Sequence, residues 1–378
     1  MQLLRFLALK FHLLHQSTRS RARVGQIETA HGVIDTPAFV PVATHGALKG
    51  VIDHSFIPLL FCNTYHLLLH PGTAEIAKLG GLHTFIGRNA PIITDSGGFQ
   101  IFSLAYGSVA AEIKSCGKKQ GAPSLLKVTD EGAWFKSYRD GRQLFLSPEV
   151  SVQAQKDLGA DIIIPLDELL PFHSEKEYFL SSCSRTYVWE KRSLDYHKKN
   201  PGYQSMYGVV HGGTDFEQRR VGCKFVEDEP FDGVAIGGSL GRNREEMHSV
   251  VQATTSCLSQ ERPVHLLGIG DLPSIEALVK CGIDSFDSSY PTKAARHGLI
   301  LSRQGAIKIL HQQYSHDLET LDPQCSCITC SSGISRAYLR HLFKVHEPNA
   351  AIWASIHNLH YMQQVMKNLR EAILCNEI

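Results

Sequence analysis

The 378-residue sequence has almost no surplus charge of either sign: 38 Lys and Arg against 37 Asp and Glu give a formal net charge of +1. A chain so balanced presents no broad field to a nucleic acid or a membrane surface, so any such partner must be met by local basic patches. Long hydrophobic runs are missing too, since none approaches the roughly 20 apolar residues of a membrane span. There is no low-complexity segment and no convincing internal repeat. A disulfide framework is also absent: Cys62, Cys116, Cys183, Cys223, Cys257, Cys281 and Cys375 are scattered singly, and only Cys325, Cys327 and Cys330 cluster. One tight cluster among isolated thiols is a metal pattern in a reducing compartment. Acid is absent before Glu28 and again from Ser288 to His316. The first gap raises a transit peptide. The apolar part there carries Lys10, His12 and His15, lacks a small-residue cleavage site, and leads into strand-like alternation from Arg23 to Val33. It is read as an N-terminal hairpin of a cytoplasmic protein.

What is present describes a globule able to bury a large core, with 43% hydrophobic and 20% charged residues. Eight short apolar runs each end in polar or glycine-rich residues. They are FVPVATHG from Phe39, PLLFCNTYH from Pro58, PIITDSGG from Pro91, ADIIIPLDE from Ala160, MYGVVHGG from Met206, FDGVAIGGS from Phe231, PVHLLGIGD from Pro263 and GIDSFDSS from Gly282. Segments with helical spacing lie between most of them, at 148–159, 216–226, 244–258 and 274–281. Near-continuous apolar strands alternating with helices imply a parallel sheet covered on both faces. Eight such units suggest an α/β fold of the (β/α)8 TIM-barrel type, with the polar strand ends gathered at one mouth. The expected organisation is a barrel over 1–310, with the N-terminal hairpin and an insertion near 104–142 laid over the mouth. Within that insertion Asp140-Gly141 marks a hairpin turn. Residues 311–378 are expected to supply a small zinc-binding subdomain and the helix that closes the barrel.

The stretch GIDSFDSSYPTKAARHG at 282–298 organises the chemistry. Asp287 ends its apolar approach, and Lys293, Arg296, Arg303 and Lys308 follow without an intervening acid. An isolated carboxylate beside cations suits a nucleophile working on an anionic substrate, although Asp is also a common helix cap. Asp95 closes the third run. Beyond it, Ser96, Gly97 and Gly98 permit close approach by a flat ligand, and Phe99 offers a stacking face. Asp167-Glu168, His211-Gly212-Gly213 and Gly237-Gly238 end the next three runs. On a barrel these converge into a cup for a heterocycle rich in hydrogen-bonding groups. A catalytic metal site fits the same carboxylates and histidine. Cys325, Cys327 and Cys330 supply three thiolates within six residues. A fourth ligand drawn from His341, His346, His357 or His360 would complete a closed tetrahedral zinc site. His357, on a second helical segment, is the choice, because one metal would then pack two helices together. Such a shell is structural, not catalytic.

In order, DSGGFQ at Asp95, VHGG at Val210, IGG at Ile236, LGIGD at Leu267, FDSSYPTKAARHG at Phe286 and the Cys cluster with His357 resemble the tRNA-guanine transglycosylase family. The resemblance runs from about residue 25 to the C-terminus. It implies a (β/α)8 barrel bearing a zinc subdomain, and exchange of guanine at the anticodon wobble position of tRNA for a 7-deazaguanine base. Asp287 would attack the ribose C1′, and Asp95 would act as general acid/base, a retaining double displacement with a base in place of water. Phe99 would stack on the base, Asp167 would accept its N–H groups, and His211 and the Gly238 amide would donate to its carbonyl. The resemblance places tRNA contacts at Gly268, Ile269, Gly270, Asp271, Leu272, Pro273 and Ser274, and at Thr292, Lys293, Ala294, Ala295 and Arg296. Related enzymes are dimers packed through the zinc subdomain.

The chain departs from the bacterial pattern at four positions. His211 stands for Gln, Leu169 for Cys, Gly241 for Val and Leu267 for Met. The volume lost at Gly241 is expected to leave room for the cyclopentenediol of queuine, beside its aminomethyl precursor. A non-catalytic tRNA-binding relative and a metal-dependent barrel hydrolase are the competing readings. Retention of both aspartates speaks against the first, and a single strand-end histidine against the second.

Overall fold

The eight apolar runs form eight parallel strands: Ala38–Pro41, Leu60–Cys62, Ile92–Thr94, Ile162–Ile163, Ser205–Val210, Gly233–Ile236, Val264–Leu266 and Ser285–Ser288. The computed structural model describes residues 9–100, 125–170 and 174–378. From the second strand onward each pairs in parallel with the next, and the eighth returns to the first with Asp287 beside Val40. The first and second strands meet through a single parallel bridge between Val42 and Phe61, where the Ala43 N–H donates to the Phe61 carbonyl at 2.7 Å. The ring is thereby closed.

Alternation along each strand divides the core into two. Val40, Phe61, Ile93, Ile162, Ile164, Tyr207, Val209 and Ala235 fill the inside of the barrel. Phe39, Leu60, Cys62, Ile92, Ile163, Met206, Val234, Leu266 and Phe286 face the helices outside. Both faces are buried, which is why the strands read as unbroken apolar runs. Each such side chain contributes about 1.5–3 kcal/mol by leaving water.

The helices begin where the sequence supplies caps. Ser147 accepts from the Val150 N–H ahead of Pro148–Leu158, Asp215 caps Phe216–Asp228, and Asn243 caps Arg244–Ser256. The helix expected at 274–281 runs instead over Leu272–Val279, because Asp271 caps it and Pro273 sits in its first turn. The N-terminal segment is a three-stranded antiparallel sheet, Lys10–Gln16, Arg23–Thr29 and Gly32–Thr36, one strand more than the expected hairpin. Its Ile27 and Ile34 plug the bottom of the barrel. Arg23 fixes it there, donating to both carboxylate oxygens of Asp284 with neither side chain exposed beyond 3%. A second tie is Asp161, which accepts from the His31 ring and backbone, at 2.7 and 3.2 Å, and from the Ile92 N–H at 2.9 Å.

The described part of the insertion, Leu125–Thr129, Gly132–Lys136 and Gln143–Leu146, is a three-stranded antiparallel sheet. The expected turn at Asp140-Gly141 joins its last two strands, and an earlier turn at Asp130-Glu131 adds another hairpin. Ala133, Phe135 and Leu146 pack on Tyr65, Leu166 and Trp189 beside the barrel mouth. The expected insertion residues 104–124 lie outside the described residues. After the eighth strand come Tyr290–Arg296, a small hairpin of Leu299–Ile300 and Ile307–Lys308, Arg336–Lys344 and the 27-residue helix Pro348–Leu374. The last helix takes part in two cores. Ala350 and Ala354 pack with Leu339 and Leu342, while Leu359, Met362, Met366 and Ile373 pack against the barrel. Among the described residues no helix is long and apolar enough to cross a membrane.

Candidate active site

Asp95 and Asp287 stand at the C-terminal ends of the third and eighth strands, both buried. Asp95 is held on both oxygens. Its Oδ2 accepts from Asn63 Nδ2 at 2.7 Å and Gln100 Nε2 at 2.8 Å, and its Oδ1 accepts from the Thr64 N–H at 2.7 Å. Burial pushes its carboxyl up to about 6, these three donors pull the other way, and the charge of Asp287 adds to the rise. A carboxyl poised there can give and take a proton near neutral pH. Asp287 is held on one oxygen. Its Oδ1 accepts from the Gly268 N–H at 2.9 Å and from His265 Nε2 at 3.1 Å. No hydrogen bond to its Oδ2 comes from the described residues.

Between them lies the expected cup. Asp167 Oδ2 meets His211 Nε2 at 2.7 Å, and its Oδ1 accepts from Ser96 Oγ at 3.2 Å. Ser96 Oγ also accepts from the Gly98 N–H at 3.2 Å. Gly97 lies between them, and Phe99 is 46% exposed, a free aromatic face at the rim. The His211 ring lies against Gly238, where an added Cβ would come 3.1 Å from its Nδ1. With His211 tied to Asp167, its Nε2 proton points at that carboxylate, so donation to a base carbonyl requires the pair to part or the ring to use Nδ1. Leu267 is half-buried and packs against the inner core of the barrel. Leu169 packs with the insertion sheet.

Gly241 also meets a backbone constraint. Its φ is +112°, and a Cβ there would lie 2.7 Å from Glu246 Cγ. The space is taken by Glu246, whose Oε2 accepts from the Arg242 N–H at 2.7 Å. Glycine suits this backbone conformation, and the Glu246 side chain stands where a Cβ would point.

The two segments given to RNA contact flank the same mouth. In 268–274, Gly268 and Pro273 are exposed, Ile269, Asp271 and Leu272 are half-buried, and Gly270 and Ser274 are buried. The helix Tyr290–Arg296 buries Thr292, Ala294 and Ala295, with Lys293 exposed and Arg296 half-buried. Tyr290 at its start is half-buried as well, so Lys293 is the fully exposed side chain of that helix.

Several residues that shape the site carry no motif. Arg219, on the helix after the fifth strand, is 1% exposed. It donates to the carbonyls of Gly213, Val210, Gly237 and Ser239 at 2.8, 2.9, 2.9 and 3.0 Å. Burial pulls it down to about 10, so it keeps its charge at neutral pH while clamping the two glycine loops of the cup. Nearby Glu190 accepts from the Val209 N–H at 2.9 Å, and burial holds its carboxyl well above the usual range. Glu168 beside Asp167 turns away, to Arg185 and to Tyr178 Oη at 3.0 Å.

At the other end of the chain Cys325, Cys327, Cys330 and His357 bring their donor atoms within 4.8 Å of one another. His357 Nδ1 lies 3.5 Å from Cys327 Sγ and 3.3 Å from Cys330 Sγ, and its Nε2 lies 2.7 Å from the Leu301 carbonyl oxygen. Donation of the Nε2 proton to that carbonyl leaves Nδ1 as the ligand atom. The backbone N–H groups of Cys327 and Cys330 point at the sulfurs of Cys325 and Cys327. The group can hold a metal ion. His360 approaches Cys325 Sγ at 3.6 Å from the next turn of the helix. Among the described residues the other donor group of this kind is His31, His83 and Asp161, at the opposite end of the barrel from the mouth.

A closed parallel barrel with two carboxylates facing across a hydrogen-bonding cup defines an enzyme of the glycosyl-transfer class. The chain matches the family model described as "Queuine tRNA-ribosyltransferase" over residues 17–378, and it belongs to that family. It is 82% identical over 372 residues to the queuine tRNA-ribosyltransferase of Chlamydia pneumoniae, covering 98% of this chain and 100% of that one. The proteins of the same description from Chlamydia caviae and Chlamydia felis are 80% and 78% identical over the same length and coverage.

Proposed function

We propose that this enzyme exchanges guanine at wobble position 34 of tRNAs with GUN anticodons for a 7-deazaguanine base, either queuine or its 7-aminomethyl-7-deazaguanine precursor. The observation that carries this is the unequal treatment of two facing acids. Asp287 has one oxygen held by two N–H groups and the other without a donor among the described residues, as a nucleophile needs. Asp95 has both oxygens held and its carboxyl pushed up to about 6, as a proton carrier needs.

Asp287 takes the ribosyl group and forms a covalent ester as guanine leaves with a proton from Asp95. The incoming base then loses its proton to Asp95 and displaces Asp287, so configuration at C1′ is retained. Phe99, Asp167, His211 and the Gly238 amide bind the flat base, which has first been unstacked from the anticodon loop. Lys293 and Arg296, with the 268–274 loop, meet the tRNA phosphates. One structural zinc ion suits the three thiolates and His357. The organisation that fits is a barrel over 1–310 with a zinc subdomain at 311–378, working in the cytoplasm as a homodimer.

The test is to incubate the protein with an anticodon stem-loop carrying the UGU context and labelled guanine, then resolve it on a denaturing gel. Wild type should trap a protein–RNA adduct and exchange label, and Asp287→Ala should do neither. Exchange that survives in Asp287→Ala sinks the reading.

A further inference from the structure

The seventh strand places a histidine directly under the nucleophile. His265 has no exposed surface and stands opposite Ser285 in the strand register. Its Nδ1 lies 2.8 Å from Ser285 Oγ, and its Nε2 lies 3.1 Å from Asp287 Oδ1. Ser285 precedes Asp287 by two residues, so both side chains point to the same face of the eighth strand. The Phe61 ring, 6.2 Å away and inclined by 18°, packs along the imidazole. A buried imidazole has no water to bond, so its nitrogens divide the work. The one against the carboxylate carries the proton, and the other accepts from the serine hydroxyl.

We propose that His265 is a positioning residue for the Asp287 nucleophile. Its Nε2–H and the Gly268 N–H pin Oδ1, which turns Oδ2 toward the sugar. The inference rests on the reading that Asp287 carries the ribosyl group. In the first step an Oδ2 electron pair forms the bond to C1′ while the C1′–nitrogen bond breaks. The pair released goes to the departing base, which takes the Asp95 proton. Oδ1 becomes the carbonyl oxygen of the ester and keeps both donors. In the second step the same donors receive the charge as Asp287 leaves. An imidazole N–H that shares its ring with a serine hydrogen bond orients the carboxylate without the fixed charge that a Lys or Arg would set against the attacking oxygen. That balance suits a group that must both attack and depart.

Three variants test this by steady-state exchange and single-turnover adduct formation, with the thermal midpoint measured in parallel. His265→Phe keeps the ring's bulk without its N–H. His265→Gln returns an amide N–H near the position of Nε2. Ser285→Ala removes the hydroxyl that fixes the tautomer. Loss of a hydrogen bond to a charged group predicts a fall of about 10- to 100-fold in kcat and in adduct formation for His265→Phe. KM for tRNA and guanine should stay within about twofold. His265→Gln should recover a large part of the rate, and Ser285→Ala should lose about 3- to 10-fold in kcat alone. A kcat within twofold of wild type in His265→Phe overturns the proposal, as does a loss that His265→Gln leaves unrepaired or one that falls wholly on KM. Should His265→Phe not fold, Ser285→Ala decides: an unchanged kcat overturns the proposal and a lowered one supports it. Asp287→Ala separates the two levels. If it still exchanges guanine, the underlying reading fails, whereas if it is dead while His265→Phe is fully active, only the role of His265 fails.

Discussion

Replacing Arg219 should loosen the base cup and lower stability together. Its guanidinium makes four hydrogen bonds of 2.8–3.0 Å to carbonyls at and just beyond the ends of the fifth and sixth strands, and among the described residues no carboxylate shares it. Each bond from a charged donor is worth about 1.5–3 kcal/mol net. In Arg219→Ala the vacated space is large and polar, so water can rebond about two of the carbonyls and about 3–6 kcal/mol is lost. An unfolding entropy of about 2.1 cal/mol/K per residue gives about 0.8 kcal/mol/K for this chain, so Tm should fall by about 4–8 °C. The same loops carry His211 and Gly238, so KM for guanine should rise about tenfold while the stalled adduct still forms. Arg219→Lys keeps the charge but reaches at most three carbonyls, and should fall between. Differential scanning fluorimetry with guanine-exchange kinetics measures both effects. A Tm shift under about 1 °C with unchanged KM would refute the clamp.

The raised carboxyl of Asp95 has a defined sign. The folded protein binds that proton more tightly than the unfolded chain, so this group's contribution to stability falls as pH rises from about 4 through about 6. Between pH 4.5 and 7.5 wild type should lose about 2 kcal/mol relative to Asp95→Asn by denaturant titration, and an unchanged difference would count against the shift. Where the protonated form is needed, kcat/KM for tRNA should drop about tenfold per unit above pH 6, a limb missing from the residual activity of Asp95→Asn. On the proposal of one structural zinc, elemental analysis should find one ion per chain in wild type and close to none in Cys327→Ser, with Tm lower by several degrees; full zinc occupancy in the variant would discount the cluster as the site. Gly241→Val must fit a β-branched side chain at a φ of +112° against Glu246, so it should lower Tm and weaken base binding. A variant as stable as wild type would leave open volume as the explanation of this glycine.

Much of the barrel is legible in the sequence because its strands are covered on both faces. Each apolar run from Phe39 to Gly282 coincides with a strand, and the caps Ser147, Asp215 and Asn243 mark helix starts at the residue. The insertion was only partly readable. Asp140-Gly141 carries a strong turn signal, but the turn at Asp130-Glu131 lacks one at its centre, and a break in register interrupts the strand before it. The grouping of Cys325, Cys327, Cys330 and His357, which could hold a metal ion, was legible because three thiols within six residues leave few alternatives. Arg219 was not, since in the run QRRV it looks like its neighbour Arg220, which is exposed and paired with Glu217. No periodicity distinguishes the arginine that turns inward.

The unreadable part has a common cause. The barrel strands are two to six residues long, too short for their ladders to fix the polar residues beyond them. Each acid is therefore set by side chains or amides from adjoining strand ends. Asp95 is held by Asn63 and Thr64 from the second strand, Asp287 by His265 and Gly268 from the seventh, and Asp167 by Ser96 and His211 from the third and fifth. These partners lie 19 to 71 residues away in sequence. Motifs reveal which carboxylates stand at the mouth; closure of the ring decides which one is bonded on both oxygens and which on one alone. Two aspartates of equal intrinsic acidity are suited to the opposite duties proposed for them because burial outweighs three donors at Asp95, whereas Asp287 meets its two donors on a single oxygen.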